Sequence, residues 1–215
     1  MFQIAAFDLD GTIADTIPIC IEAFQRGAAP YACCELGRKE IMQTFGLNEM
    51  GMVRTVVKEN YESALSDFYI QYERLHEKVT EPFCGILSLF AFLKENGVIL
   101  ALVTGKGEKS CAISLKKLGL SEVFDEVLYG SELYPNKKEN MEYLMKRYSV
   151  SNSNFCYTGD TVQDVKACRD AGVACFSAAW QKSCDVSGLE RENPGHVFYT
   201  VNALHEYFKQ ALTRV

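Results

Sequence analysis

Ile4-Ala5-Ala6-Phe7-Asp8-Leu9-Asp10-Gly11-Thr12 runs an apolar stretch straight into two carboxylates at i and i+2, followed by a Gly-Thr turn. The apolar run reads as a buried strand. Side chains alternate along a strand, so Asp8 and Asp10 start on the same side, and the turn lets both converge on one crevice. Two carboxylates that close repel each other and do not both ionise freely without a cation or a shared proton. Such a pair suits chemistry on an anion held by a metal.

Outward from this stretch, strand and helix patterns alternate. Segments 2–7, 98–103, 126–129, 154–157, 173–176 and 196–199 read as strands, and 87–96, 108–118, 138–148, 163–171 and 201–212 carry apolar residues at helical spacing. Gly97, Gly119 and Gly172 stand where helix C-caps fall. This alternation predicts an α/β protein, a parallel Rossmann-like sheet with helices on both faces. Residues 16–82 break the rhythm with helix-like pieces only, at 16–29, 39–45, 50–59 and 63–78. An insertion just after a carboxylate-bearing strand end hangs over the crevice where open α/β sheets bind ligands. The expected division is an α/β core of 1–15 and 83–215 with an inserted helical cap of 16–82.

With 48% hydrophobic and 23% charged residues among 215, the chain can build a real core. A net charge of −6 and the lack of any basic run speak against nucleic acid as a partner. An acidic protein still binds a small phosphorylated metabolite where a metal and a lysine supply positive charge locally. No signal-type segment and no transmembrane-length apolar stretch is visible, so the expectation is a cytoplasmic protein without a membrane partner, monomeric or homodimeric. The nine cysteines include the adjacent Cys33 and Cys34 but no C-x-x-C pair, which predicts reduced core thiols rather than a disulfide framework or zinc site.

Four islands of chemistry fall at or just after predicted strand ends: Asp8-Leu9-Asp10-Gly11-Thr12, Val103-Thr104-Gly105-Lys106, Asn136-Lys137-Lys138-Glu139, and Gly159-Asp160-Thr161-Val162-Gln163-Asp164. In a parallel sheet those ends share one edge. A carboxylate nucleophile can attack phosphorus and form an aspartyl-phosphate that water later cleaves. Asp8, Asp160 and Asp164 offer hard oxygen ligands for Mg²⁺. Thr104, backbone N–H groups and a lysine can neutralise phosphoryl oxygens, and Asp10 can serve as acid and then base. Both Lys137 and Lys138 stand as the candidate lysine; helix phase with Tyr143-Leu144 favours Lys137.

As a set, D-L-D-G-T, V-T-G-K, a lysine and G-D-T-V-Q-D resembles the four motifs of the haloacid dehalogenase superfamily of phosphohydrolases, over nearly the whole core. The helical insertion is similar to the C1-type cap of the phosphoglycolate phosphatase and β-phosphoglucomutase branch. The resemblance implies Asp8 as nucleophile, Asp10 as acid/base, and Thr104, Gly105 and Lys137 around the phosphate. It implies Mg²⁺ held by Asp8, Asp160 and the Asp10 backbone carbonyl, with Asp164 supporting. Family members often carry Lys-Pro at the third motif, whereas no proline follows either lysine here.

The resulting expectation is a Mg²⁺-dependent phosphatase acting on a small phosphorylated metabolite, with phosphoglycolate phosphatase as a subfamily label. The alternatives are a β-phosphoglucomutase-type mutase, a pyrophosphatase or nucleotidase of the same superfamily, and a non-catalytic phosphate-sensing module. A dehalogenase needs neither Asp10 nor Asp160. Lys106 reads as a solvated loop lysine and Trp180 as a packing residue. Glu22, Arg26, Arg38, Lys39 and Arg54 read as solvated helix faces, and Phe24, Phe45 and Tyr61 as the cap's small core.

Overall fold

β1 (Ile4–Phe7) is buried on both faces, which is why its sequence is continuously apolar rather than alternating. In the computed structural model, which describes residues 1–33 and 35–213, Ala5 and Phe7 enter one apolar cluster while Ile4 and Ala6 enter another on the opposite face. β2 (Ile99–Val103) and β4 (Phe155–Gly159) flank β1, and β3 (Glu126–Leu128), β5 (Ala174–Ala178) and β6 (Val197–Phe198) complete a six-stranded sheet of order β3-β2-β1-β4-β5-β6. Every neighbouring pair is parallel. The order reverses between β1 and β4, so their carboxyl ends form the switch-point crevice of a doubly wound α/β fold.

Helices cover both faces. α5 (Ile86–Glu95), α6 (Glu108–Lys117) and α10 (Val201–Thr213) contribute to the first cluster; α7 (Lys137–Tyr148), α8 (Val162–Ala171) and α9 (Val186–Glu192) contribute to the second. Between β1 and α5 lie α1 (Ile17–Gly27), α2 (Arg38–Met42), α3 (Glu49–Val56) and α4 (Tyr61–Leu75), which bury a third cluster around Phe24, Val53, Phe68 and Tyr72. Among the described residues no helix is long and apolar enough to cross a membrane.

Several local readings change. β4 runs to Gly159 rather than stopping at residue 157, because Thr158 and Gly159 continue pairing with Phe176 and Ser177. α9 carried no sequence signal: only Gly188 and Leu189 are buried, and its start rests on Asp185 accepting the Gly188 N–H at 3.0 Å. α3 begins at Glu49, where Asn48 caps it by accepting the Gly51 N–H at 3.1 Å. Phe45 is exposed, whereas Phe24 is buried and Tyr61 packs against the third cluster. Every cysteine among the described residues is a free thiol, and Cys20, Cys111, Cys156, Cys168 and Cys175 are buried. Cys34 lies outside the described residues.

Candidate active site

The site starts where β1 ends. The Asp8 N–H still donates to the Thr158 carbonyl of β4 at 2.9 Å, then the chain turns, with the Leu9 carbonyl accepting from Ile13 at 2.9 Å. This turn needs Gly11, whose φ of +76° is a left-handed conformation that other residues rarely adopt. A Cβ there would also sit 2.2 Å from Asp160 Oδ2, so the turn lies flush against the carboxylate that follows β4.

Asp8 is buried, with Oδ1 accepting the Leu9 N–H at 2.8 Å and Oδ2 accepting from Lys137 Nζ at 2.7 Å. Lys137 Nζ also lies 2.6 Å from Asp164 Oδ1. Lys138 instead pairs with Glu142 on the surface at 2.8 Å. Asp164 is hydrogen-bonded at both oxygens: besides Lys137, its Oδ1 lies 3.2 Å from the Tyr157 hydroxyl, and its Oδ2 accepts from Thr161 N–H at 3.0 Å and Thr161 Oγ1 at 2.6 Å. It thereby closes a capping box at the start of α8 and aims Lys137 at Asp8.

Burial pushes the Asp8 carboxyl up to about 6 against Lys137, with Asp164 and Asp10 adding repulsion. Burial also raises Asp160 well above the usual carboxylate range, helped by Asp164 and Asp8. Desolvation opposes the Lys137 charge, but Asp164 and Asp8 outweigh it and hold its pKa above the ordinary value.

Ligand atoms of Asp8, Asp160 and Asp164 lie within 4.8 Å of one another, and Asp160 Oδ1 is buried with no hydrogen-bond partner in the protein. An orphaned carboxylate oxygen costs free energy that a cation would recover. This all-oxygen donor set fits a hard divalent cation.

Thr104 and Gly105 follow β2 on the other side of β1. The pairing of Phe7 with Leu102 and with Thr158 brings Thr104 and Asp160 level with Leu9 on either flank. Thr104 is buried, and its Oγ1 accepts the Lys106 N–H at 3.2 Å. Asp10 is half-buried, and its Oδ1 accepts from Thr16 Oγ1 at 2.5 Å.

Lys106 is not a solvated loop lysine. Its side chain is 3% exposed, with Nζ 3.3 Å from Asp10 Oδ2, 3.6 Å from Glu49 Oε1 and 4.3 Å from the centre of the Tyr72 ring. Burial opposes its charge, but Asp10 first among its neighbours keeps the pKa raised. Helix α4 supplies the Tyr72 lid, a contact local sequence does not reveal.

Glu49 was not singled out from the sequence. It is buried, its Oε1 accepting from Ser110 Oγ at 2.5 Å and its Oε2 from Gly107 N–H at 2.8 Å. The signal that could have found it is the Asn48-Glu49 pair, an N-cap followed by a first-turn acid. Trp180 both packs against the first cluster and donates from Nε1 to the Thr12 carbonyl at 3.0 Å. Of the charged cap residues, Glu22 pairs with Arg26 and Lys78, Arg54 reaches Glu132 at 2.9 Å, and Arg38 and Lys39 are both exposed.

A doubly wound sheet whose central strand ends in Asp-x-Asp, faced by a lysine and a second acidic loop, defines a class of hydrolases. The model of the haloacid dehalogenase-like hydrolases matches residues 5–178, and the chain belongs to that family. It is 29% identical over 190 residues to phosphoglycolate phosphatase 1 of Pseudomonas aeruginosa, covering 83% of this chain and 70% of that one. It is also 29% identical over 170 residues to the pyrophosphatase PpaX of Halalkalibacterium halodurans, covering 78% and 79%. The crystal structure of a hydrolase from Pseudomonas syringae superposes with a TM-score of 0.80 at 19% identity, over 97% of this chain and 98% of that one.

Proposed function

We propose that this hydrolase is a Mg²⁺-dependent phosphatase that releases inorganic phosphate from a small phosphorylated metabolite through an aspartyl-phosphate on Asp8, with residues 16–82 acting as a cap on the core of 1–15 and 83–215. The observation that carries the reading is the meeting of Asp8, Asp160 and Asp164 around one point, with Asp160 Oδ1 left unpaired. The relatives named for phosphoglycolate and pyrophosphate hydrolysis support phosphoryl chemistry in general and do not select the leaving group.

Asp8, Asp160 and the Asp10 backbone carbonyl would hold the ion, with Asp164 supporting them. When bound, Mg²⁺ supplies the charge neutralisation that lets an anionic phosphoryl group approach an anionic carboxylate.

The remaining chemistry belongs to side chains. The Asp8 carboxylate attacks phosphorus, and the ester P–O bond breaks as the Asp8–phosphorus bond forms. Asp10 gives its proton to the departing alkoxide oxygen. Then Asp10, now a carboxylate, takes a proton from water, which attacks the phosphoryl group and frees phosphate and Asp8. An ammonium has three donors; Lys137 spends two on Asp8 and Asp164 and keeps one for a phosphoryl oxygen. Thr104 and the Gly105 backbone bind the phosphoryl oxygens from the β2 side.

A phosphate-release screen with p-nitrophenyl phosphate and metabolite esters, with and without Mg²⁺, tests the reading. Turnover should require the metal and fall by about 10³-fold or more in Asp8→Asn with the circular dichroism unchanged. Wild-type turnover in that variant would overturn the nucleophile assignment.

A further inference from the structure

We propose that the loop at 179–185 braces the two halves of the metal site against each other, and that Trp180 and Cys184 within it are positioning residues for Mg²⁺. The proposal rests on the reading above in taking Asp8, Asp160 and the Asp10 carbonyl as the ligands.

Strand pairing stops short of the site. The Asp8 N–H still reaches the Thr158 carbonyl at 2.9 Å, but beyond it, among the described residues, no hydrogen bond runs directly between the turn at 9–16 and Asp160 or Thr161. Yet the two segments are pressed together, since Gly11 leaves no room for a Cβ beside Asp160 Oδ2. The carboxylates they bring into this gap repel each other until a cation arrives. Something else must hold the segments in place.

The loop after β5 supplies the ties. Trp180 Nε1 donates to the Thr12 carbonyl at 3.0 Å and Gln181 Nε2 to Asp15 Oδ1 at 3.0 Å, gripping the turn that follows β1. The Cys184 thiol lies 3.4 Å from the Asp160 carbonyl and 3.6 Å from the Ala178 carbonyl, gripping the segment that follows β4. The loop is itself anchored. Ala179 N–H donates to the Phe198 carbonyl of β6 at 2.8 Å, Asp185 caps α9, and buried Gln181 accepts from Ser183 N–H at 2.8 Å. The Trp180 ring packs on the first apolar cluster, which fixes the direction of its N–H. At Asp160 the thiol grips the main-chain carbonyl and leaves Oδ1 unpaired for a cation. Partners of this kind, one step behind the ligands, commonly control metal affinity by about tenfold to a hundredfold.

Mg²⁺ titration of the substrate-free protein, followed by calorimetry, tests the brace. Trp180→Phe keeps an aromatic ring and loses the donor; Cys184→Ala loses the thiol, and Cys184→Ser restores a donor. The first two should each bind Mg²⁺ about tenfold more weakly with the circular dichroism in EDTA unchanged, and Cys184→Ser should stay within about threefold of wild type. Phe198→Leu loosens the same apolar cluster without removing a side-chain donor, and should leave the affinity unchanged. Wild-type affinity in Trp180→Phe or Cys184→Ala overturns the proposal, as does equal weakening in Phe198→Leu. Trp180 is the only tryptophan of the chain, so its fluorescence reports the brace without any variant. Emission of the wild type should change saturably with Mg²⁺; emission that ignores a bound metal overturns the proposal. A wild type that binds no Mg²⁺ sinks the proposal and the metal reading together. Affinities that follow the variants as stated, with no phosphate released from any ester, support the brace and sink the phosphatase reading alone.

Discussion

Lys137 Nζ lies 2.7 Å from Asp8 Oδ2, joining residues 129 positions apart across the carboxyl edge of the sheet. The same ammonium lies 2.6 Å from Asp164 Oδ1, so one cation serves two buried carboxylates. Removing one partner from a buried ion pair costs more than the pair contributes, because it strands the other charge.

Lys137→Met should therefore destabilise the metal-free protein by about 3–5 kcal/mol and abolish phosphate release. Lys138→Ala, which removes an exposed pair with Glu142, should change stability by less than about 1 kcal/mol. Urea denaturation of the two variants side by side checks this; equal losses would remove Lys137 from its special place.

Asp8 carries a pH signature. Its carboxyl is raised from 3.8 to about 6 in the fold, so the folded state binds this proton more tightly than the unfolded chain does. The corresponding stability is fully present below the ordinary carboxylate value and is lost as pH rises through about 6. In EDTA, the wild type should lose on the order of 3 kcal/mol relative to Asp8→Asn between about pH 4 and about pH 7. A difference that stays constant across that range would contradict burial as the dominant influence on Asp8.

Gly11→Ala tests the fit between turn and metal site. The added methyl would meet Asp160 Oδ2 at 2.2 Å and force a residue with a side chain into φ +76°. The variant should lose about 1–3 kcal/mol and its Mg²⁺-induced rise in Tm together. Thermal melts with and without Mg²⁺ report both; an intact metal response would mean Asp160 tolerates displacement.

Gly51→Ala separates cap docking from metal binding. A Cβ at Gly51 would lie 2.4 Å from the Glu132 carbonyl oxygen, on the loop where Asn48 donates to the Gly130 carbonyl at 3.1 Å. Pushing α3 off that loop should lower kcat/KM by about tenfold to a hundredfold. The Mg²⁺-induced shift in Tm should persist, since the acids lie on the core. A lost metal response with normal turnover would reverse this assignment.

Much of the fold was legible because its signals are short-range. Strands buried on both faces show as apolar runs, and the acids after β1 and β4 stand out as polar interruptions at strand ends. Signals failed where burial comes from elsewhere in the chain. Lys106 looks like any lysine in a glycine turn until Tyr72 and Glu49 close over it. Phe45 looks like core until the cap leaves it at the surface. α9 buries too little to show a period.

The choice between Lys137 and Lys138 shows the boundary well. Helix phase favours one of two adjacent lysines, but only the packing of α7 against the sheet shows which ammonium meets Asp8 and which meets Glu142. By itself, the sequence determined the family, the strand ends and the acids placed on them, because periodicity and turn chemistry depend on residues a few positions apart. Tertiary structure alone decided the partner of each buried charge. Partners come from whichever strands and helices the sheet order makes neighbours, and no local pattern encodes that order.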